Sequence, residues 1–379
     1  MRFLFKTSYN QDIGLFRDRV NMGWYGVLGV IVLVLPLVMS TYYVSEISLV
    51  LIYGIIGVSM MVLVGYTGLV SLGHAAFLGI GAYAHGYFLK IGVPWIPSVV
   101  MAVVITTCCG FIVGLPALRM TGIYLTIATL AFSLIIQEVF NRWTTVTHGF
   151  DGLPVAMPEI LGIAFDKTAF YYLCLFFLVL ALWLTRNVLR SPTGRAWVAI
   201  RDSEIAAQSM GVHLAIYKSS AFAYSAALMG LAGALFAHKI SYLAPDIFNI
   251  LLSINFLLLV IVGGLGSLHG TVFGAIFVVL LPPVISILRD DIPATFSSIA
   301  ESTGVAAIGG VGRALGGFLS KPGVEAGILG LILVLVILLE PLGMYGRWVK
   351  IRIFFSTFPM YKRATFKRQK SYMKSERLR

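Results

Sequence analysis

Long apolar runs separated by short polar punctuation dominate this chain. Ten of them, near residues 24–44, 47–65, 68–89, 95–116, 121–141, 169–185, 219–237, 248–264, 270–288 and 326–345, approach membrane-spanning length. A helix needs roughly 20 such residues to cross a hydrocarbon core of about 30 Å. The pattern predicts an all-α polytopic membrane protein of about ten hydrophobic segments. Two runs stand apart. "GLVSLGHAAFLGIGAY" from Gly68 and "GGLGSLHGTVFGAIF" from Gly263 each set Ser-Leu and a histidine among glycines. Small residues let backbones approach in lipid, where helices have little hydrophobic drive to associate. A broken helix leaves backbone groups that are tolerated only against protein or along a watery path. Tightly packed, broken or re-entrant helices are therefore expected at both places. Each stretch follows a run travelling one way and leads into a run returning, which makes them a candidate internal repeat flanking a central site.

Polar residues inside the runs mark candidate pathway positions: Ser71, Gly73, His74 and Gly79 in the first stretch, Ser267 and His269 in the second. Between residues 121 and 141, Tyr124, Thr126, Thr129, Ser133 and Gln137 put hydrogen-bonding groups on an otherwise apolar helix, partly sharing one side of it. The alternative is that the glycines serve packing alone and His74 bonds a neighbouring helix. Glu138, near the end of the same run, is read as pairing with Arg142 at the interface rather than holding a substrate ammonium.

Composition agrees with the periodicity. The chain of 379 residues is 59 % hydrophobic and 12 % charged, and its mean hydropathy is +0.92, far from a soluble domain in which about a quarter of residues are charged. A net charge of +12 sits mostly at the ends and in loops, so a cytoplasmic membrane face explains it better than nucleic acid. With the N-terminus inside, 21 of the 28 lysines and arginines fall on the inner side and 7 outside, the bias of the positive-inside rule. Domain boundaries follow: 1–23 cytoplasmic, 24–345 the transmembrane permease domain with a cytoplasmic loop at 186–218 and an external segment at 289–325, and 346–379 a basic cytoplasmic tail. In the external segment, Ile299, Val305, Ile308, Val311, Leu315, Phe318 and Leu319 recur at near-helical spacing and predict an in-plane helix. The tail carries eleven basic residues and one acid, suited to an anionic leaflet. Cys108, Cys109 and Cys174 lie within apolar runs without metal-ligand spacing and are read as packing residues. No cleavable signal peptide is evident at the first run.

Within residues 190–220, "RSPTGRAWVAIRDSEIAAQSMGVHLAIYKSS", charged Arg201, Asp202 and Glu204 precede the small pair Ala206-Ala207, and Gly211 stops the helix. A short surface helix of this kind suits a groove on a cytoplasmic partner; a solvated connector is the alternative. No lysine is preceded by glycine and followed by Ser or Thr, so there is no phosphate-binding loop. No nucleophile–base pair, metal constellation or channel filter emerges either, and an enzyme is not expected.

The loop resembles the coupling segment of ATP-binding cassette (ABC) importer permeases, Glu-Ala-Ala, three residues, then Gly, except that Ile205 separates Glu204 from Ala206. "GYTGLVSLGHAAFLGIGAY" (65–83), "GIYLTIATLAFSLIIQEVFNRWTTVTHGFDGLPV" (122–155), "GGLGSLHGTVFGA" (263–275) and "EPLGMYGRW" (340–348) together are similar to permeases of the branched-chain amino acid ABC importers, the M-type (LivM-like) subunit. Leu342 stands where that pattern has a basic residue. The resemblance covers about residues 47 to 348. It implies a subunit of the bacterial inner membrane with cytoplasmic termini, paired with a second permease chain as a heterodimer. Two cytoplasmic ATPase subunits would carry ATP and Mg, a periplasmic binding protein would deliver substrate, and this chain would bind no cofactor of its own. It also implies that Arg201, Asp202, Glu204, Ala206, Ala207 and Gly211 form the ATPase-coupling segment. A mainly apolar path with brief polar contacts would equally pass urea or a short amide, and a proton-coupled secondary transporter is the remaining alternative.

Overall fold

The computed structural model describes residues 19–116, 120, 122–160, 163–303, 317, 324–340 and 343–357. The chain is an all-α membrane protein whose helices are α1 (Arg19–Val38), α2 (Thr41–Met60, continued by a π-helical turn Met61–Tyr66), α3 (His74–Lys90), α4 (Trp95–Gly114), α5 (Ile123–Arg142), α6 (Lys167–Arg190), α7 (Pro192–Asp202), α8 (Glu204–Ser209), α9 (Leu214–Ile240), α10 (Ile250–Gly263), α11 (Leu268–Thr303), α12 (Val324–Leu339) and α13 (Gly343–Thr357). Among the described residues, six helical stretches are long and apolar enough to cross a membrane, and Met22–Val38 and Ile250–Gly263 are shorter apolar helices.

Each of the ten apolar runs contains a helix, with boundaries set by local chemistry. The run 24–44 divides, because the chain turns at Met39–Ser40 and Thr41 opens α2. The run 326–345 stops at Leu339. Glu340 precedes Pro341, and a residue before proline is disfavoured in the α region. The run 270–288 belongs to a 36-residue helix, about 54 Å long, which continues through Thr303. Residues 304–316 and 318–323 of the expected in-plane helix, and the tail beyond 357, lie outside the described residues.

Burial identifies the centre. Spanning windows of α2 and α9 are 78 % and 72 % buried, against 22 % for α5 and 33 % for α6. Helices α3 and α4 pack on α9 through glycines: a Cβ at Gly81 would strike the Gly230 backbone, and one at Gly110 would strike Ala226. Without side chains between them, the backbones approach closely enough for dispersion to replace the missing hydrophobic drive.

The two ends of the bundle differ. The end carrying α7 and α8, called here the loop end, gathers the segments around residues 65, 201, 266 and 343. At the far end, the two-stranded ribbon β1 (Leu153–Pro154) with β4 (Tyr242–Leu243) closes the connections, beside a second ribbon, β2 (Glu159–Ile160) with β3 (Ile163–Ala164). A buried polar clamp braces that end. His238 Nδ1 lies 2.6 Å from the Ala156 carbonyl oxygen and must donate to it. Its Nε2 accepts from Trp95 Nε1–H at 2.9 Å, and His85 Nε2 donates to the same nitrogen at 2.9 Å. His85 Nδ1 is left to face Ser98 Oγ at 2.8 Å. With each ring neutral, the single lone pair of His238 Nε2 is shared between two N–H donors, and the Ser98 hydroxyl between His85 Nδ1 and the His85 carbonyl. Replacing His238 by leucine strands the buried Trp95 Nε1–H and His85 Nε2–H, each costing about 1–3 kcal/mol, and leaves the carbonyl of exposed Ala156 to water. Thermal unfolding of the purified chain is expected to shift downward by several degrees; an unchanged midpoint would show that the clamp adds no stability.

Candidate functional site

The helix formed by α2 and its π turn stops at Tyr66, and α3 begins at His74. Residues 67–73 between them are extended or turning backbone, buried at Thr67, Leu69, Ser71 and Gly73 and exposed at Gly68. Gly68 has φ +74°, and a Cβ there would lie 3.0 Å from Arg201 Cγ, so both conformation and space require glycine. The backbone groups released by the break are held by side chains, Ser71 from within it and Thr126, Thr129 and Ser253 from other helices. Thr126 Oγ1 donates to the Val70 carbonyl at 3.2 Å. Leu72 N–H donates to Thr129 Oγ1 at 3.0 Å, Gly73 N–H to Ser71 Oγ at 3.2 Å, and Ala75 N–H to Ser253 Oγ at 3.0 Å. Irregular backbone at membrane depth is stable only with such partners.

His74, the first residue of α3, is fully buried; its Nε2 lies 2.9 Å from Ser225 Oγ. Ser225 is in turn cross-bonded to Ser59, whose hydroxyl donates to the Ser225 carbonyl at 2.7 Å. The imidazole thus ties α3 to α9 and α2 where the three helices meet.

The second break, Gly264 to Ser267, separates α10 from α11 and uses Gly264 (φ +112°) and Gly266 (φ +83°). Ser267 Oγ accepts from Gly270 N–H at 3.2 Å, holding the first turn of α11. The two breaks touch. Gly266 N–H points at Met61 Sδ, 3.1 Å away, and a Cβ at Gly65 would lie 3.1 Å from Gly266 N. Gly343 (φ +68°) packs directly on Gly264, so "EPLGMYGRW" brings α13 onto the second break. Beyond the end of α12, Glu340 accepts from Arg347 Nε at 2.8 Å and Lys350 Nζ at 3.3 Å. Those hydrogen bonds hold its carboxyl below the usual carboxylate range. Leu342 lies outside the described residues.

Arg201 joins the loop to the breaks. Its Nη1 donates to the Gly65 carbonyl at 3.0 Å, at the C-terminal end of the π turn, where a cation also meets the negative end of the helix dipole. The same nitrogen lies 3.7 Å from where a Gly266 Cβ would stand. Asp202 Oδ1 accepts from Arg201 Nε and Nη2 at 3.1 and 3.0 Å and orients the guanidinium.

The rest of the loop is fixed from inside. Ser203 Oγ caps α8 by accepting from Ala206 N–H, and Gly211 (φ +84°) closes it as Val212 N–H bonds the Ala207 carbonyl. Ala207 is buried and Ala206 exposed. Glu204 turns inward: its Oε2 lies 2.8 Å from Nζ of Lys218, which is fully buried in α9. The outward positions are Ile205, 81 % exposed, and Met210, 88 % exposed.

Of the positions singled out by sequence, the structure brings Ser71, Gly73, His74, Thr126 and Thr129 together at the first break. Ser267 sits at the second. Gly79 packs against Phe140 and Phe248, toward the far end, Tyr124 is 75 % exposed on the outer side of α5, and Gln137 is half-buried. His269 is exposed at the rim, with Tyr25 Oη 2.9 Å from its Nε2 and its ring stacked on Tyr345. Glu138 and Arg142 pair on the exposed face of α5. Sequence reading missed Ser59, Ser225, Ser253 and Lys218, which are ordinary residues until the fold shows what each one meets.

A family model described as branched-chain amino acid transport system / permease component matches residues 42–289. That stretch contains both breaks, the loop and the central helices. The chain belongs to this family. It is 34 % identical over 196 residues to the high-affinity branched-chain amino acid transport system permease protein LivM of Escherichia coli, covering 45 % of this chain and 46 % of that one. It is 33 % identical over 205 residues to the protein of the same name from Salmonella typhimurium, covering 48 % of each. A probable branched-chain amino acid transport permease protein LivM from Methanocaldococcus jannaschii is 23 % identical over 201 residues, covering 51 % of this chain and 58 % of its own. The chain spans about half the length of the curated relatives it matches. No solved structure matches it significantly. The chain is LivM-like in sequence, and its long apolar helices give it a multi-pass membrane architecture.

Proposed function

We propose that this chain is a transmembrane permease subunit of an ABC importer that moves branched-chain aliphatic amino acids across the bacterial inner membrane, with both termini cytoplasmic. A second permease chain completes the pathway, two cytoplasmic ATPase subunits carry ATP and Mg, and a periplasmic protein delivers the substrate. This chain binds no cofactor. The observation that carries the reading is the Arg201 guanidinium. It rises from the exposed loop and holds the Gly65 carbonyl at the first helix break. A partner that moves α7 and α8 therefore moves the break without an intervening element. Ile205 and Met210 offer the partner an apolar contact, and the Glu204–Lys218 pair makes α8 rigid against α9. The low burial of α5 leaves its Tyr124, Ile127 and Ile135 side for the second permease.

The reading is tested in proteoliposomes holding this chain with its second permease, ATPases and binding protein. Leucine, isoleucine and valine are expected to enter only with ATP on the ATPase side, and urea not to enter. Replacing Ile205 and Met210 by aspartate is expected to lower leucine uptake at least tenfold and to weaken capture of the ATPases. Uptake of leucine by this chain alone, driven by a proton gradient, would overturn the importer reading. ATP-driven uptake of urea in place of leucine would overturn the substrate.

A further inference from the structure

The loop end carries a second polar cluster that neither break uses. Around His269, in the first turn of α11, stand Tyr25 of α1, Arg186 of α6, and Tyr345 and Arg352 of α13. The Tyr25 hydroxyl lies 2.9 Å from His269 Nε2, and the Tyr345 ring stacks on the imidazole at 6.0 Å and 12°. The charges of Arg186 and Arg352 both bear on His269, and that of Arg190 bears on Arg186. Among the described residues no carboxylate pairs with Arg186 or Arg352; the ion pairs of this end, Arg201–Asp202, Glu204–Lys218 and Glu340 with Arg347 and Lys350, lie elsewhere. Arg186 of α6 and Arg352 of α13 thus bring two like charges to the rim of the imidazole, and the N-terminus of α11 adds its positive dipole end. An anion taken up there relieves the repulsion between the two guanidinium groups.

Its surroundings say which kind. Exposed Trp24 adjoins Tyr25, exposed Trp183 stands one turn before Arg186, and exposed Trp348 stands between Tyr345 and Arg352 and packs on Phe273, one turn after His269. Tryptophans around a basic cluster at the ends of apolar helices mark headgroup depth. Leu28, Leu184 and Ile276, exposed on the same helices, continue the surface toward the membrane interior. We propose that Arg186, His269 and Arg352, framed by Tyr25 and Tyr345, bind the phosphate of an anionic phospholipid of the adjoining leaflet, whose acyl chains lie along α1, α6 and α11. The lipid cross-links α13 to the bundle, and α13 in turn rests on the second break through Gly343. The site depends only on the membrane architecture, not on the transported substrate.

The test is native mass spectrometry of the detergent-solubilised full chain, titrated with phosphatidylglycerol, phosphatidylcholine or inorganic phosphate. Phosphatidylglycerol is expected to bind in preference to phosphatidylcholine. R186Q/R352Q is expected to weaken it by about tenfold or more. R186K/R352K, which keeps the charge, and R142Q, which removes a charge at the opposite end, are expected to bind as the parent does. Should the double glutamine variant not fold, R352Q alone, on an exposed position of α13, is expected to lose part of the same affinity. Equal binding of both lipids, or unchanged binding in the glutamine variants, would overturn the site. Displacement of phosphatidylglycerol by an equal concentration of inorganic phosphate would assign the cluster to free phosphate and overturn the lipid.

Discussion

An R201Q variant of the reconstituted importer is expected to assemble normally, to hydrolyse ATP, and to lose most of its leucine uptake. The bond removed is a charge-assisted hydrogen bond from the loop to the Gly65 carbonyl. Such bonds contribute about 1.5–3 kcal/mol, and a coupling of that size corresponds to a factor of roughly 10–150. Uptake per ATP hydrolysed is therefore the quantity to measure, and a fall of about tenfold or more is expected. A role confined to folding would instead lower assembly and ATP hydrolysis together, leaving their ratio to uptake unchanged. Lysine at 201 supplies a point charge that reaches the carbonyl but cannot accept the two-pronged hold of Asp202. R201K is expected to recover part of the ratio. Parent-like coupling in R201Q would show that motion reaches the break by another route.

The reach of Arg201 was beyond sequence analysis, and the reason is physical. Glycine content signals a tightly packed or broken helix around Gly68–Gly73, because that effect is local. What satisfies the break is not local: Thr129 is 57 residues from Leu72, and Ser253 is 178 from Ala75. Thr126 and Thr129 share a helix side, which spacing alone supports equally as a lining or as a set of partners for another backbone. The structure gives their hydroxyls to the backbone of the break. The two histidines teach a related point. In "SLGH" the imidazole follows Ser71 by three residues, and in "SLHG" it follows Ser267 by two. The helices also start at different points, α3 at the histidine itself and α11 one residue before it, and His74 faces α9 while His269 faces α1 and α13. The loop shows the limit of periodicity. A six-residue α8 is too short to have a face of its own, and the buried Lys218 on α9 decides that Glu204 points in and Ile205 out.

Glycines offer the sharpest contrast between positions that look alike in sequence. G274A is expected to abolish folding or nearly so, whereas G26A is expected to be neutral or slightly stabilising. Both glycines lie inside apolar helices. A Cβ at Gly274 would collide with the Leu259 carbonyl oxygen and crowd Gly263 Cα at 3.2 Å; at Gly26 nothing lies within 4 Å. Overpacking a well-fitted core costs about 1–3 kcal/mol, occasionally more, and here the obstruction is backbone, which cannot rotate away. The penalty falls on α10 and α11, whose contact through Gly263, Gly270 and Gly274 fixes the second break. Helix separation there would withdraw Gly266 from Met61 and Gly343 from Gly264 together. At Gly26 the methyl instead restricts the unfolded chain and favours the helix by about 0.4–1 kcal/mol. Detergent-solubilised yield and thermal unfolding of the two variants decide the matter. Similar stability in both would mean that α10 and α11 are free to separate, and that the second break is held by something other than glycine contact.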